Sequence, residues 1–402
     1  MTSTSTSMSV TPNPLVHRAE PAPQPKEAPD SLATRIKQAI YPLMSRLVTR
    51  ATLVEGQLKQ SGETVRVLFV HNCLFNREIE TRSLDNVTVL QRSRMAIPGI
   101  AAALRAQQGQ VDLISAVLPA SCAASMAALK PFQGHQEVRQ IIDTSCGWEQ
   151  MRKDFSKKRR QITNEFREKH GLDCRVSHDP ADFDMFYHRM FVPHIQRRYG
   201  ELADIDSHAE LKQFFDRGML FLIMSDGKEV AGALSELVDG HLLFRRSGVL
   251  DGDESHVKGG AQTALYYFQL QHAVANGIWA LDTLKTTPFL NDGVFKHKAD
   301  WGARSFRDDE ATHLTFLVPG RDPAKLARFF EISPIVIDDG NKLSAIVGDT
   351  TIDAPAPGYF DKLLGRISTS GLSSVQLQTR TGLHRFEITP PAAPAPAAAR
   401  PA

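Results

Sequence analysis

"MLFLIMSDGKEVAGALSELVDGHLLFRRSGVLDG", residues Met219 to Gly252, decides the fold. It reads as an apolar strand, a turn, a second strand, a second turn and a third strand. The two turns are Asp226-Gly227 and Asp239-Gly240, the dipeptide that favours tight hairpins because both central residues need positive φ. The stretch therefore predicts a three-stranded antiparallel meander. Along its middle strand, Ala231, Ala233, Ser235 and Leu237 share one face and Gly232, Leu234 and Glu236 the other. A carboxylate with apolar neighbours has its pKa raised, which suits a base working near neutral pH. The same pattern also fits an edge glutamate in water, and the sequence leaves the two open.

Downstream, "HVKGGAQTALYYFQLQHAVANG" predicts a helix with Ala264, Leu265, Phe268, Leu270 and Ala273 inward and Gly277 as its stop. "IWALDTL" is a strand that carries Asp282, "KTTPFLND" a loop, "GVFKHKADWGA" a lysine-rich turn, and "THLTFLVPG" a last strand. Upstream, "DPADFDMFYHRMFVPHIQRRYG" predicts a helix capped by Asp179, started by Pro180 and kinked at Pro193. Tyr187, His188, His194 and Tyr199 on it are candidates for acceptor contacts, and "HAELKQFFDRG" is a helix stopped by Gly218. "WEQMRKDFSKKRRQITNEFREKHGL" is a charged helix whose Lys157–Arg160 run is either a solvated face or an anion contact. Before it, "VRVLFVHN", "VTVLQRSR", "VDLISAVLP" and "EVRQIIDTS" read as strands, the last closing the first region, and "IPGIAAALRAQQGQ" as a helix. "SLATRIKQAIYPLMSRLVTRATLVEGQL" places Leu32, Ile36, Ile40, Leu43 and Leu47 at helical spacing, so an amphipathic helix is expected over 31–60. Beyond residue 321, "SPIVIDD" and "LSAIVGDT" are strand-like and "GYFDKLLGRI" helical.

The bulk properties bound the partners. Forty-seven basic and 45 acidic residues leave a net charge of +2, too little for a global field toward nucleic acid or an anionic membrane. Interleaved aromatics for base stacking are sparse, so nucleic acid is not expected as a partner. Cys73, Cys122, Cys146 and Cys174 form no C-x-x-C pair, which points to inert thiols in a reducing cytoplasm and to a cytoplasmic location. No H-E-x-x-H or cysteine cluster implies a metal. The Ser/Thr/Pro-rich start and "PPAAPAPAAARPA" read as disordered tails, and no stretch approaches the roughly 20 apolar residues of a membrane span.

The order helix, helix, meander, glycine-led helix, strand, helix, strand resembles the GNAT acetyltransferase superfold. In that family Gln/Arg-x-x-Gly-x-Gly/Ala opens the central helix and wraps the pyrophosphate of acyl-CoA. "HVKGGA" stands at that place, with His256 where Gln or Arg is usual, then Lys258, Gly259, Gly260 and Ala261. "DTLKTTPFLNDGVFKHKADWGAR" further resembles the Fem-type and cellulose-synthesis-associated branch. The resemblance implies an α+β fold with a GNAT-like mixed central sheet flanked by helices, and it allows a tandem pair. Its degenerate half is expected over 64–147 and its acyltransferase domain over 148–320, between tails at 1–30 and 390–402 and with an extension at 321–389. It implies an enzyme that moves an acyl group from acyl-CoA, as co-substrate, to an amine or hydroxyl of a sugar, lipid or amino-acid precursor by direct attack. Glu236, Asp282 and Tyr187 are the catalytic candidates, and His256, Lys258, Gly259, Gly260 and Ala261 the carrier contacts. His194, Arg198, Lys285, Lys296 and Lys298 are the substrate contacts, the last two expected on one side of their turn. Fem-type aminoacyl transfer from charged tRNA and a non-catalytic scaffold are the alternatives.

Overall fold

In the computed structural model, residues 47–200, 203 and 205–388 are described, without the side chains of 164–170 and of Tyr199. The expected tails, the helix positions before Leu47 and the Tyr199 contact lie outside them.

The chain opens with β1 (Val48–Leu58), β2 (Thr64–Val70), α1 (Leu74–Ser83), β3 (Leu84–Ala96), α2 (Ile100–Gln108), β4 (Leu113–Pro119), β5 (Phe132–Gly134) and β6 (Val138–Asp143). The expected helix over 31–60 is thus a strand from Val48 on. Small or polar residues, Thr49, Ala51 and Gly56, fill inward positions of β1, and a bulge after Leu53 shifts the register, so its alternation is hidden. The charged helix is also not one piece. A short turn ends at Asp154, Phe155 is extended, and Ser156 caps a new helix, α3 (Lys157–His170), by accepting from Arg159 N–H.

Next come β7 (Leu172–Ser177) and α4 (Pro180–Met185), then a π-helical turn over Phe186–Phe191, α5 (Val192–Tyr199) and α6 (His208–Phe215). Asp179 caps Ala181 N–H as expected. The kink expected at Pro193 takes the form of the π turn just before it, which absorbs the bond that proline cannot donate. Gly218 does not stop α6, which ends at Phe215. It begins β8, where its bare Cα lies against the Ser235 carbonyl.

The meander is β8 (Gly218–Ser225), β9 (Lys228–Val238) and β10 (His241–Val249), antiparallel throughout. Both Asp-Gly turns have positive φ at both residues, the type I′ geometry their sequence predicts. Beyond it lie α7 (Glu254–Lys258), α8 (Ala261–Ala275), β11 (Ala280–Thr286), α9 (Gly293–Asp300), β12 (Arg304–Phe306) and β13 (His313–Pro319). The C-terminal part adds α10 (Pro323–Ile332), β14 (Ile335–Asp339), β15 (Lys342–Gly348), α11 (Tyr359–Leu364), β16 (Leu372–Gln378) and β17 (Leu383–Glu387).

Three sheets result: β3-β1-β2-β4-β13-β5, β12-β6-β11-β10-β9-β8-β7 and β14-β15-β16-β17. Each mixes parallel and antiparallel neighbours, with β2 parallel to β4, β10 to β11 and β15 to β16. The α+β class with a mixed sheet flanked by helices is therefore as expected. The division at 147/148 does not separate sheets. β6, read as the close of the first region, pairs with β11 and β12 in the second sheet. β13, read as the last strand of the second region, pairs with β4 and β5 in the first. Among the described residues no helix is long and apolar enough to cross a membrane.

Candidate functional site

The seven-stranded sheet opens at its centre. β10 and β11 pair in parallel only from His241–Ala280 to Leu243–Asp282 and then part. Both carry an irregularity at that point. In β10 the register with β9 slips past Arg245. In β11 the register with β6 slips between Asp282 and Lys285, and Leu284 has φ of 64°. A bulge bends its strand and releases backbone groups from the ladder.

Those released groups are braced. Asp282, fully buried, accepts Leu284 N–H at 2.8 Å and binds Arg139 Nε at 2.5 Å. Lys298, also buried, donates to the Leu284 and Lys285 carbonyls, each at 3.2 Å. Burial pushes the Lys298 ammonium down to about 8, against the pull of Asp282, Glu137 and Asp292. Lys285 pairs with Asp308 at 2.8 Å. The segment read as a lysine-rich turn is the helix α9, capped by Asp292 through Val294 and Phe295 N–H. Residues two apart on a helix point to different sides. Lys296 accordingly lines a hollow beside Tyr359 and Arg366, while Lys298 is buried. Phe295 and Trp301 are core, as their residue types suggest.

Glu236 is neither on an apolar face nor in water. It is 2% exposed, and Arg217 Nε (2.6 Å) and Arg245 Nε (2.7 Å) each take one of its oxygens. Alternation in β9 placed it correctly opposite Ser235. The slip in β10 is what turns Arg245 onto the same carboxylate, and the sequence carried no signal for it. Tyr187 donates to the Asp206 carbonyl at 3.1 Å, and Asp206 also binds Arg246. The three catalytic candidates are thus each engaged within the fold, and Glu236 and Asp282 share one row of the sheet on either side of Leu243.

Other expected residues do converge. A cavity of about 330 Å³ lies beyond the diverging end of β10, lined by His194, Arg197 and Arg198 of α5 and by Gly252, Glu254, Val257 and Lys258. Burial, with Arg198 beside it, lowers the His194 pKa, so its ring is neutral at neutral pH. Gly259 and Gly260 separate α7 from α8, and Gly260 has φ of 95°, which leaves the chain free to start a new helix there. The first bond back to the cap is Ala264 N–H to Gly260 C=O at 2.9 Å. The N–H groups of Ala261, Gln262 and Thr263 therefore point out of the helix end with its partial positive charge, although the Ala261 side chain is buried. Of the five expected carrier contacts only Lys258 lines the cavity; His256, Gly259, Gly260 and Ala261 do not, and His256 sits beside Asp251 and Asp253.

Arg159 stands at the start of α8, outside the cavity lining, and only the general charge of its run pointed to it. Its guanidinium donates to Thr263 Oγ1 and to His297 Nδ1, each at 3.0 Å, and stacks over Trp301. Its buried Nε–H has no acceptor among the described residues. His297 is held down to about 4, by burial first and then by Arg159, Lys298 and Arg198. Tyr266, buried and pushed up by desolvation, packs on both His297 and Trp301. Among the described residues no three His, Cys, Asp or Glu stand together as metal ligands.

No family model matches the chain, and no curated protein matches it. Among solved structures it is similar to FemX, at 11% identity over 70% of this chain and 90% of that one, with a TM-score of 0.36. It is similar to L-PGS from Bacillus licheniformis at 10% over 65% and 83%, TM-score 0.34. A third likeness is to a putative acetyltransferase from the GNAT family from Novosphingobium aromaticivorans, at 17% over 57% and 84%, TM-score 0.27.

Proposed function

We propose that the chain is a GNAT-type acyltransferase that takes an acyl group from acyl-CoA to an amine or hydroxyl. One observation carries this reading: β10 and β11 part at paired irregularities, and a cavity with three cationic side chains lies beyond the end of β10. A thioester chain is an extended, uncharged group that fits between parted strands, and its diphosphate is the anion that Arg197, Arg198, Lys258 and the α8 amides would hold. The acceptor nitrogen or oxygen attacks the acyl carbonyl and a C–N or C–O bond forms. The C–S bond breaks, the nucleophile's proton passes to a base, and the departing thiolate is protonated. Both Glu236 oxygens are engaged by arginines, and His194 lines the cavity that would hold the diphosphate, so its neutral ring would serve there as a hydrogen-bond donor to the carrier. Leu284 N–H of β11 is spent on Asp282, so the oxyanion's backbone donor would come from the irregularity of β10 at Arg245.

Thermal unfolding with acetyl-CoA and with acetyl-pantetheine, which lacks the diphosphate, tests the reading. A saturable shift with acetyl-CoA alone, reduced at least tenfold in affinity by Arg198→Ala, is the expected result. No shift with any acyl-CoA sinks it. The engaged state of Glu236, Asp282 and Tyr187 favours one second reading, a non-catalytic scaffold of the same fold. That version binds acyl-CoA without turnover.

A further inference from the structure

A larger hollow, of about 620 Å³, lies where the edge of the first sheet meets the C-terminal sheet, away from the cavity at α5. Its buried lining is apolar apart from Gln378: Phe132 of β5, Leu326 of α10 and Ile337 of β14. Its polar lining is uneven in charge. Asp338 stands 3.2 Å from His135 and 3.9 Å from Arg307. Asp339 is bound by Arg385 Nη1 at 2.8 Å and by Ser374 Oγ at 3.0 Å. Asp339 is thus answered within the protein, while Asp338 Oδ1 is buried without a hydrogen-bond partner among the described residues. Lys130 and Arg321, both exposed at the hollow, have no ion-pair or hydrogen-bond partner among the described residues. Two unanswered cations at the wall of one hollow suit a dianionic group such as a phosphate monoester.

The remaining wall asks for more than phosphate. Gln376 and Gln378, two apart on β16, face one side of the strand and both line the hollow. Gln378 spends its amide N–H on the Thr379 carbonyl at 3.0 Å and keeps its own carbonyl free to accept. Gln376 makes no hydrogen bond through its side chain among the described residues, so it offers both a donor and an acceptor. Side-chain amides paired in this way match the mixed edge of a nucleobase, whose flat faces suit the apolar lining. The volume is that of a small-molecule site.

We infer that this hollow binds a nucleoside monophosphate, with the phosphate at Lys130 and Arg321 and the base edge at Gln376 and Gln378. Titration calorimetry of the full chain with AMP, GMP, CMP and UMP tests it, with ribose 5-phosphate and inorganic phosphate as companions. One nucleotide is expected to bind at least tenfold more tightly than ribose 5-phosphate. The double variant Lys130→Ala, Arg321→Ala loses at least tenfold, and Gln376→Ala, Gln378→Ala loses the preference among bases. All four residues line the hollow, Lys130 and Arg321 exposed and Gln378 buried, and unchanged melting curves establish that the variants fold. Equal binding of ribose 5-phosphate, no binding of any nucleotide, or indifference to the Arg321 change overturns the assignment. The acyl-carrier cavity is tested apart from it: Arg198→Ala must leave nucleotide binding intact. Loss in Arg198→Ala with retention in Arg321→Ala would place the nucleotide in that cavity and overturn the inference as well.

Discussion

His297 is a neutral ring among cations. Unfolded, it binds a proton below about 6.5, whereas in the fold it stays neutral down to about 4. Between those values the unfolded chain holds the extra proton, so stability is fully present above 6.5 and is lost as the pH falls toward 4. At about 1.4 kcal/mol per unit the loss is on the order of 3 kcal/mol. His297→Gln, which keeps an acceptor for Arg159, is expected to flatten that acid limb. Urea unfolding midpoints at pH 7 and pH 4.5 check it, and an unchanged slope would show that the ring titrates normally. Arg159 and His297 lie 138 residues apart, and nothing local in either stretch marks their meeting. Glu236 was legible as a residue and not as a site, since its strand face follows from alternation but its two arginines come from a neighbouring strand and a loop.

At the scale of elements, what was written locally was read correctly. The Asp-Gly turns, the β8–β10 meander and the glycine break before α8 each rest on a few adjacent residues. β1 was misread because a bulge and small inward residues mask its period, and α9 because eight residues with a glycine at the start look like a turn. The π turn before Pro193 has its own dependence. Gly248 of β10 lies against the Met190 backbone, so that a Cβ would run into the Met190 carbonyl. Gly248→Ala is expected to cost about 2–3 kcal/mol, in the range of an overpacked interior. It should also displace α5, which carries His194, Arg197 and Arg198. A lowered urea midpoint with weakened acetyl-CoA binding would show both. Unaltered stability would mean the strand and the turn have room to separate.

Over the whole molecule, two sheets trade a strand. Sequence order suggested that each region kept its own, because consecutive elements usually pack together. β6 and β13 break that habit, and no periodicity reports which sheet a strand joins. A fragment of residues 148–320 lacks β6, so β11 and β12 each lose a neighbour and present bare edges. It is expected to be aggregated or molten, while residues 47–388 unfold in one transition. Near-ultraviolet circular dichroism and size-exclusion chromatography of both provide the check, and a monomeric fragment with fixed aromatic signals would refute it.

The trade also sets a clock for biosynthesis. β4 leaves the ribosome at Pro119, but the partner that seals its open side begins only at His313. At ~5–20 residues per second the nascent chain waits on the order of ten seconds or more with that hydrogen-bonding edge uncovered. Through that wait β4 is an edge strand, open to pairing with any other extended chain that reaches it.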